Sequence, residues 1–461
     1  MKPITVTQII QATGGQLAAA CPSSMAGRAV SAVSTDTRTL KQGDLFVALK
    51  GENYDANQFL ANAQGAGASV ILAESVSGVD LDKTAVVVVA DGLLALQRLA
   101  LWYRSQLNIK VVGITGSNGK TSTKDFTAAV VGEKFKVNAT RGNLNNHIGL
   151  PLSILSTEED DEVCIWEMGM NHPGEIAPLC QIAKPDIGVI TNIGTAHIEF
   201  LKSREGIAEE KGALAKALPD EGTLIVAAVC DFAHYFAERT HADVIFAGNG
   251  RGLVRAEQLH LTESGSTFKL VIGEEDTAMV DLPVAGRHMV NNALLAASVG
   301  HVLGMKAAEI ARGLNGSTLT SGRLRRYDSA GITVFDDTYN ANPDSVAAAL
   351  ETLNEMPRKN GGRKIAVLGM MGELGIHADK AHLEVGRLAS EFGFQVVSVG
   401  ENAENIYRGA TEDGGDAEQF NDITAAADWL KSFCKSGDLV LFKGSRSAGM
   451  ERVMNKALPQ G

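Results

Sequence analysis

Gly113-Ile-Thr-Gly-Ser-Asn-Gly-Lys-Thr121 follows the apolar pair Val111-Val112 and precedes a helical pattern. A glycine-rich turn between a strand and a helix exposes backbone amides at the helix N-terminus, where they can cradle phosphate. The strict spacing G-x-x-x-x-G-K-[ST] is not met, because Ile114 stands where the first glycine belongs. The mechanics survive the departure. Gly116 and Gly119, with Ser117 and Asn118 between them, permit close backbone approach; Lys120 can bridge the β- and γ-phosphates, and the Thr121 hydroxyl can bind Mg²⁺. The stretch predicts an α/β fold whose ligand, a nucleoside triphosphate, sits at the carboxyl ends of parallel strands. A glycine-rich turn without a ligand is the plainer alternative.

Outward from the loop, three side chains give it chemical company. Glu167 ends the apolar run Val163-Cys-Ile-Trp-Glu167, where a carboxylate can face a hard cation. His197 closes Thr191-Asn-Ile-Gly-Thr-Ala-His197, and Lys211 lies in Ala208-Glu-Glu-Lys-Gly212 on the helix that follows. Taken singly, each has an ordinary reading: a lone carboxylate, a structural histidine, a solvated helix lysine.

The same alternation of strand and helix extends on both sides. Residues 1 to about 90 hold short strand-like runs at Asp44–Leu49, Ser69–Ala73 and Ala85–Val89 around a helical segment, forming a small α/β module. Residues 91–317 alternate strands (Lys110–Thr115, Val163–Glu167, Ile187–Thr191, Thr223–Val229) with helices, which predicts a mostly parallel sheet. From about Asp243 to Val284 the period falls to two, as in Ser266–Ile272, and an antiparallel extension is expected. The small polar run Ser317-Thr-Leu-Thr-Ser-Gly322 predicts a linker, and residues 318–461 restart the alternation as a third, Rossmann-like domain. At 461 residues, roughly three domains with clefts between them are in keeping with the length.

Composition bounds the partners. With 42 basic and 54 acidic residues the net charge is -12, which disfavours nucleic acid, so an anionic substrate requires locally placed cations. Cys21, Cys164, Cys180, Cys230 and Cys434 are widely spaced, which fits small buried apolar side chains in a reducing compartment. No signal peptide core and no run of about 18 apolar residues is visible, so a cytoplasmic protein without stable membrane association is expected.

At this point the ordered motifs carry a resemblance. Thr35-Asp-Thr-Arg38 with Gly43–Leu49, Thr115–Thr121, Gly142-Asn-Leu-Asn-Asn146 before Gly149-Leu-Pro151, and Glu167-Met-Gly169 are followed by Gly286-Arg-His288 and Gly322-Arg323. Asp336-Asp-Thr-Tyr-Asn-Ala-Asn-Pro343, Glu373-Leu-Gly375 and Lys443-Gly-Ser-Arg446 complete the series. The chain resembles the Mur ligase family from its first domain to its last. The resemblance implies that Lys120 and Thr121 hold phosphate, that Thr121 and Glu167 hold one Mg²⁺, and that His197 and a carbamylated Lys211 hold a second. An ammonium at 211 would repel the cation, whereas CO₂ addition makes an oxygen-rich anion. It further implies Asn292 at the adenine, Arg323 at the γ-phosphate and Asp337 at the ribose. Asn145, Asn146, Tyr339 and Asn340 fall on the substrate side, and Thr35 and Arg38 at the uridine nucleotide.

Within the family, Asp344 follows Asn342-Pro343 where the diaminopimelate-adding branch carries an Arg, and a carboxylate cannot form the bidentate pair that Arg makes with a substrate carboxylate. The implied partners are therefore UDP-N-acetylmuramoyl-tripeptide and D-alanyl-D-alanine, joined by a monomeric, ATP-dependent enzyme through an acyl phosphate. A folylpolyglutamate synthetase-like ligase and a nucleotide-dependent regulatory module are the competing readings. Three positions depart from the family pattern: Met289 for Asn, Met370 for Asp and Asn57 for His.

Overall fold

The computed structural model describes residues 1–356 and 361–460. A nine-stranded sheet forms its centre, in the order Asp276–Leu282, Ser266–Ile272, Val254–Leu261, Asp243–Asn249, Thr223–Ala227, Ile187–Ile190, Lys110–Thr115, Val163–Glu167 and Val137–Ala139. Seven of these strands run parallel, from Val254–Leu261 to Val137–Ala139. The central strands are continuous apolar runs because helices cover both faces; all four residues of Ile187–Ile190 are buried.

The antiparallel extension is shorter than the period-two pattern predicts. Asp243–Asn249 pairs parallel with Thr223–Ala227, and only the ladders from Val254–Leu261 through Asp276–Leu282 are antiparallel. Asp243–Asn249 lies where the parallel sheet loses cover: its first four residues are partly or fully exposed, and only Ala247 and Gly248 are buried.

On the N-terminal side, a five-stranded sheet takes the order Gln16–Leu17, Ala85–Val88, Val70–Ala73, Leu45–Val47 and Val33–Ser34. On the C-terminal side, a six-stranded sheet takes the order Arg325–Ser329, Ile332–Asp337, Leu439–Lys443, Lys364–Gly369, Gln395–Val399 and Ala417–Phe420, parallel but for its first pair. The fold is thus α/β with three sheet-centred domains, as expected. The linker leaves the helix Ala307–Asn315, and its Thr320 amide donates to Asp125 at 2.8 Å on the helix Lys120–Gly132. Among the described residues no helix is long and apolar enough to cross a membrane. All five cysteines are free and buried, and burial pushes Cys164, Cys180 and Cys434 up to about 12, so they are inert thiols.

Candidate active site

The strand Lys110–Thr115 lies between Val163–Glu167 and Ile187–Ile190. The chain adds strands on one side of it and then crosses to the other, so a crevice opens at the carboxyl ends of these three strands. The loop 116–119, Glu167 and the segment leading to His197 all leave the sheet there. Two glycines make this possible. Gly116 has φ +149° and a Cβ would collide with the Thr191 hydroxyl; Gly119 has φ +80° and a Cβ would collide with the Asn292 amide. Asn192 fixes the loop by accepting from Ser117 N (2.9 Å, through its carbonyl) and Asn118 N (3.0 Å, through its side chain). The helix Lys120–Gly132 begins without a side-chain cap, leaving its first amides and positive dipole end for an anion.

The expected phosphate and metal residues converge. Thr121 Oγ1 donates to Glu167 Oε2 at 2.9 Å, and Asn145 Nδ2 donates to Glu167 Oε1 at 2.7 Å. Arg323, from beyond the linker, donates from Nη2 to Thr121 Oγ1 at 3.1 Å. Its guanidinium stacks 4.0 Å over the Tyr339 ring. Tyr339, expected at the substrate, therefore orients Arg323 in this arrangement. Lys120 turns back on its own loop, donating to Gly116 O at 2.8 Å and Ser117 O at 3.3 Å. Desolvation pushes its ammonium below the usual lysine range, opposed by Glu167.

Lys211 is fully buried, and among the described residues its Nζ has no hydrogen-bond partner. Desolvation, helped by the nearby Lys120 charge, drives it well below the ordinary lysine value, against the pull of Glu210 and Glu167. His197 adopts φ +64°, and its Nδ1 lies 2.6 Å from Glu373 Oε2 of the third domain. That contact, outweighing the opposing effect of desolvation, sets Glu373 below the usual carboxylate range. Among the described residues no group of three or more His, Cys, Asp or Glu side chains is arranged to hold a metal. The donors fit Mg²⁺ all the same, since it binds through one or two carboxylates and completes its shell with phosphates and water. Glu167 supplies a carboxylate that is 2% exposed, and Lys211 supplies an amine with nothing to pair with.

Other expected residues are engaged differently. Asn292 is buried on the helix Arg287–Val302 against Gly119, its Nδ2 3.9 Å from the Met289 sulfur. Asp337 is tied at both oxygens, to Lys443 Nζ at 2.5 Å and to Leu324 N at 3.1 Å. These partners follow from register, because Asp337 and Lys443 are neighbours at the carboxyl ends of adjacent parallel strands. Lys443 also donates to the Asn340 carbonyl at 3.1 Å. Asn146 is separated in role from Asn145: its Oδ1 accepts from Ile148 N and Gly149 N at 3.2 and 2.9 Å, ahead of the helix Gly149–Leu155.

Asp344, which stands where the diaminopimelate-adding branch carries an Arg, faces the central domain. Its Oδ2 accepts from both the amide and the hydroxyl of Thr195 at 2.7 Å. Asn342 Nδ2 likewise donates to Asn118 Oδ1 at 2.7 Å. The third domain is thus seated directly on the phosphate loop.

Thr35 lines a cavity of about 240 Å³ with Ser34, Asp36, Arg141, Leu144 and Ser153, between the first sheet and the central domain. Arg38 is exposed, and its Nη2 pairs with Asp36 at 2.6 Å. Arg141 and Glu373 received no role from the sequence, although both adjoin or belong to quoted motifs. The departures are absorbed locally: Asn57 bridges Asp55 and Glu74 N, and Met370 receives Asn402 Nδ2 at 3.8 Å.

Comparison with known proteins gives the family of the chain. A family model described as the Mur ligase middle domain matches residues 114–300, and one described as Mur ligase, glutamate ligase domain matches residues 322–446. The chain is 37% identical over 436 residues to the UDP-N-acetylmuramoyl-tripeptide--D-alanyl-D-alanine ligase of Bacillus subtilis (strain 168), covering 92% of each. Among solved structures, MurF from Acinetobacter baumannii superposes with a TM-score of 0.90 at 32% identity, covering 99% of both chains. MurF ligase from Thermotoga maritima, solved in complex with ADP, gives 0.81 at 29% identity, covering 92% of this chain and 96% of that one.

Proposed function

The chain belongs to the Mur ligase family, and from that membership and the crevice we propose that it is an ATP-dependent ligase joining D-alanyl-D-alanine to UDP-N-acetylmuramoyl-tripeptide, in peptidoglycan precursor synthesis. The observation that carries the catalytic part is a set of buried polar atoms around the loop that have no hydrogen-bond partner among the described residues: Ser117 Oγ, Lys211 Nζ and Arg323 Nε. Buried polar groups are almost always satisfied, so such a set at one crevice calls for a ligand rich in acceptors. A triphosphate supplies them.

In this reading the loop amides, Lys120 and Arg323 bind the phosphates, with Asn292 at the base and Asp337 at the ribose. Desolvation disfavours the ammonium form of Lys211 and so favours the free amine that attacks CO₂: its nitrogen bonds the carbon, one proton leaves, and a carbamate remains. Thr121 and Glu167 would hold one Mg²⁺, and His197 with the Lys211 carbamate a second. When bound, these ions neutralise charge on the phosphates. The tripeptide carboxylate attacks the γ-phosphorus, ADP departs, and an acyl phosphate forms. Lys120 and Arg323 complement the charge of the transferring group, since positioning and electrostatics dominate phosphoryl transfer. The dipeptide amine then attacks the acyl carbon and phosphate leaves, with the third domain seated on the loop to exclude water. The cavity beside Thr35 suits the sugar nucleotide, with Arg141 as a cation at its wall.

The test is phosphate release measured with ATP and each substrate alone and together. Release requiring both UDP-N-acetylmuramoyl-tripeptide and D-alanyl-D-alanine supports the reading. Equal release with glutamate or diaminopimelate in place of the dipeptide, or nucleotide binding without turnover, would remove it.

A further inference from the structure

The segment that carries His197 is held by the third domain at two separate places. Asp344 takes both hydrogen-bond donors of Thr195, and Glu373 Oε2 approaches His197 Nδ1 to 2.6 Å. Glu373 also accepts through its carbonyl from Glu199 N at 3.3 Å. The two facing residues both adopt left-handed backbone, His197 at φ +64° and Glu373 at φ +62°. Side chains other than glycine, Asn and Asp rarely sit there, and such conformations persist where the surroundings impose them.

The Glu373 loop is itself braced from behind. Met371 N donates to the buried His382 Nε2 at 2.7 Å, and His382 Nδ1 lies 2.7 Å from Ala378 O, which fixes the His382 proton on Nδ1. The carboxylate therefore arrives at His197 on a supported loop. As a stability element this pair is weak, since the Glu373 side chain is 42% exposed. As an orienting contact it is short, at 2.6 Å, and His197 Nδ1 is buried with no other partner among the described residues. A carboxylate this close to Nδ1 favours the tautomer with the proton on Nδ1, which leaves the Nε2 lone pair to be presented elsewhere.

We propose that Glu373 is a positioning residue for His197, setting its tautomer and ring orientation only when the third domain is seated, so that domain closure completes the metal position to which His197 contributes. This rests on the reading of His197 as a metal ligand given above. The structure supplies the reason for the coupling: ligand and orienting carboxylate lie on opposite sides of the domain boundary, 176 residues apart in sequence (373 less 197).

The full chain is compared with Glu373→Ala, Glu373→Gln and His197→Ala. Mn²⁺ binding is titrated by electron paramagnetic resonance in the presence of ADP, and the His197 tautomer is read by ¹⁵N resonance. In the parent chain, Nδ1–H is expected. Glu373→Ala should weaken the His197-dependent Mn²⁺ about tenfold or more and mix the tautomers. Glu373→Gln, whose amide oxygen still accepts from Nδ1–H, should fall between. If His197→Ala binds as many ions as the parent, the ligand assignment itself fails. If His197→Ala loses an ion while Glu373→Ala binds Mn²⁺ like the parent, the positioning role alone is overturned. An Nε2–H tautomer in the parent chain overturns it without any variant.

Discussion

Lys211 and Lys443 are both buried lysines near the carboxyl edge of a parallel sheet, and they are treated in opposite ways. Lys443, on the third sheet, has Asp337 at 2.5 Å and the Asn340 carbonyl at 3.1 Å. Lys211, beside the central sheet, has nothing. A satisfied buried charge holds geometry, because its partners fix where it points; an unsatisfied one is a site awaiting chemistry. The difference separates the half of the crevice that would be completed by ligands from the half that is already built.

The sharpest way to break this contrast is at the unsatisfied side. Lys120→Ala should lower turnover by roughly 10³-fold or more, as expected when a cation aimed at a transferring phosphoryl group is removed. Steady-state phosphate release measures it, and near-parental turnover would take Lys120 out of the phosphate site. Lys211→Ala should be similarly inactive yet partly rescued by added short carboxylates that stand in for a carbamate. Lys211→Met should unfold within about 1 kcal/mol of the parent, since it removes an unpaired amine.

At the satisfied side the signs reverse. Lys443→Met strands Asp337 and should cost about 3–5 kcal/mol of stability in denaturant titration, with no rescue by carboxylates. Equal stability of Lys443→Met and Lys211→Met would erase the distinction.

His288 lies at the boundary between the two halves, its Nδ1 3.4 Å from the Thr352 hydroxyl, and desolvation pushes it from 6.5 down to about 4. Between those values the unfolded chain binds the proton and the folded chain does not, so stability rises with pH across that window and is lost as pH falls through it. The gap is worth at most about 3 kcal/mol. Unfolding of His288→Gln, followed from pH 7 to 4, should show a flatter pH dependence than the parent; identical slopes would exclude this histidine.

The smallest expected effect separates two adjacent asparagines. Asn146→Ala should cost about 1 kcal/mol through the loss of its bonds to Ile148 N and Gly149 N, with activity retained. Asn145→Ala should instead impair Mg²⁺ dependence, because Asn145 steadies Glu167.

Much of this was legible beforehand, for physical reasons. The glycines of the phosphate loop advertise a backbone that no side chain can share, and continuous apolar runs announce strands buried on both faces. Glu167 was visible because it interrupts such a run at its end. What sequence alone could not supply were contacts without period. Asn118 and Asn342 meet across 224 residues, and nothing local marks either for the other. The same holds for Asp344, whose acidity was informative about the amine but whose Thr195 partner depends on how two domains dock. Asp243–Asn249 misled because it adjoins the period-two strands in the chain, although its own run Val244 to Gly248 is continuous, as in a parallel strand. Strands of two residues, such as Gln16–Leu17, are too short for any period to emerge.

The central claim, that one crevice transfers a phosphoryl group onto a carboxylate before the amide forms, has a direct test. UDP-N-acetylmuramoyl-tripeptide labelled with ¹⁸O in its terminal carboxylate is turned over with ATP and D-alanyl-D-alanine, and the released phosphate is weighed by mass spectrometry. One ¹⁸O per phosphate is the predicted result; phosphate free of the label would contradict the account.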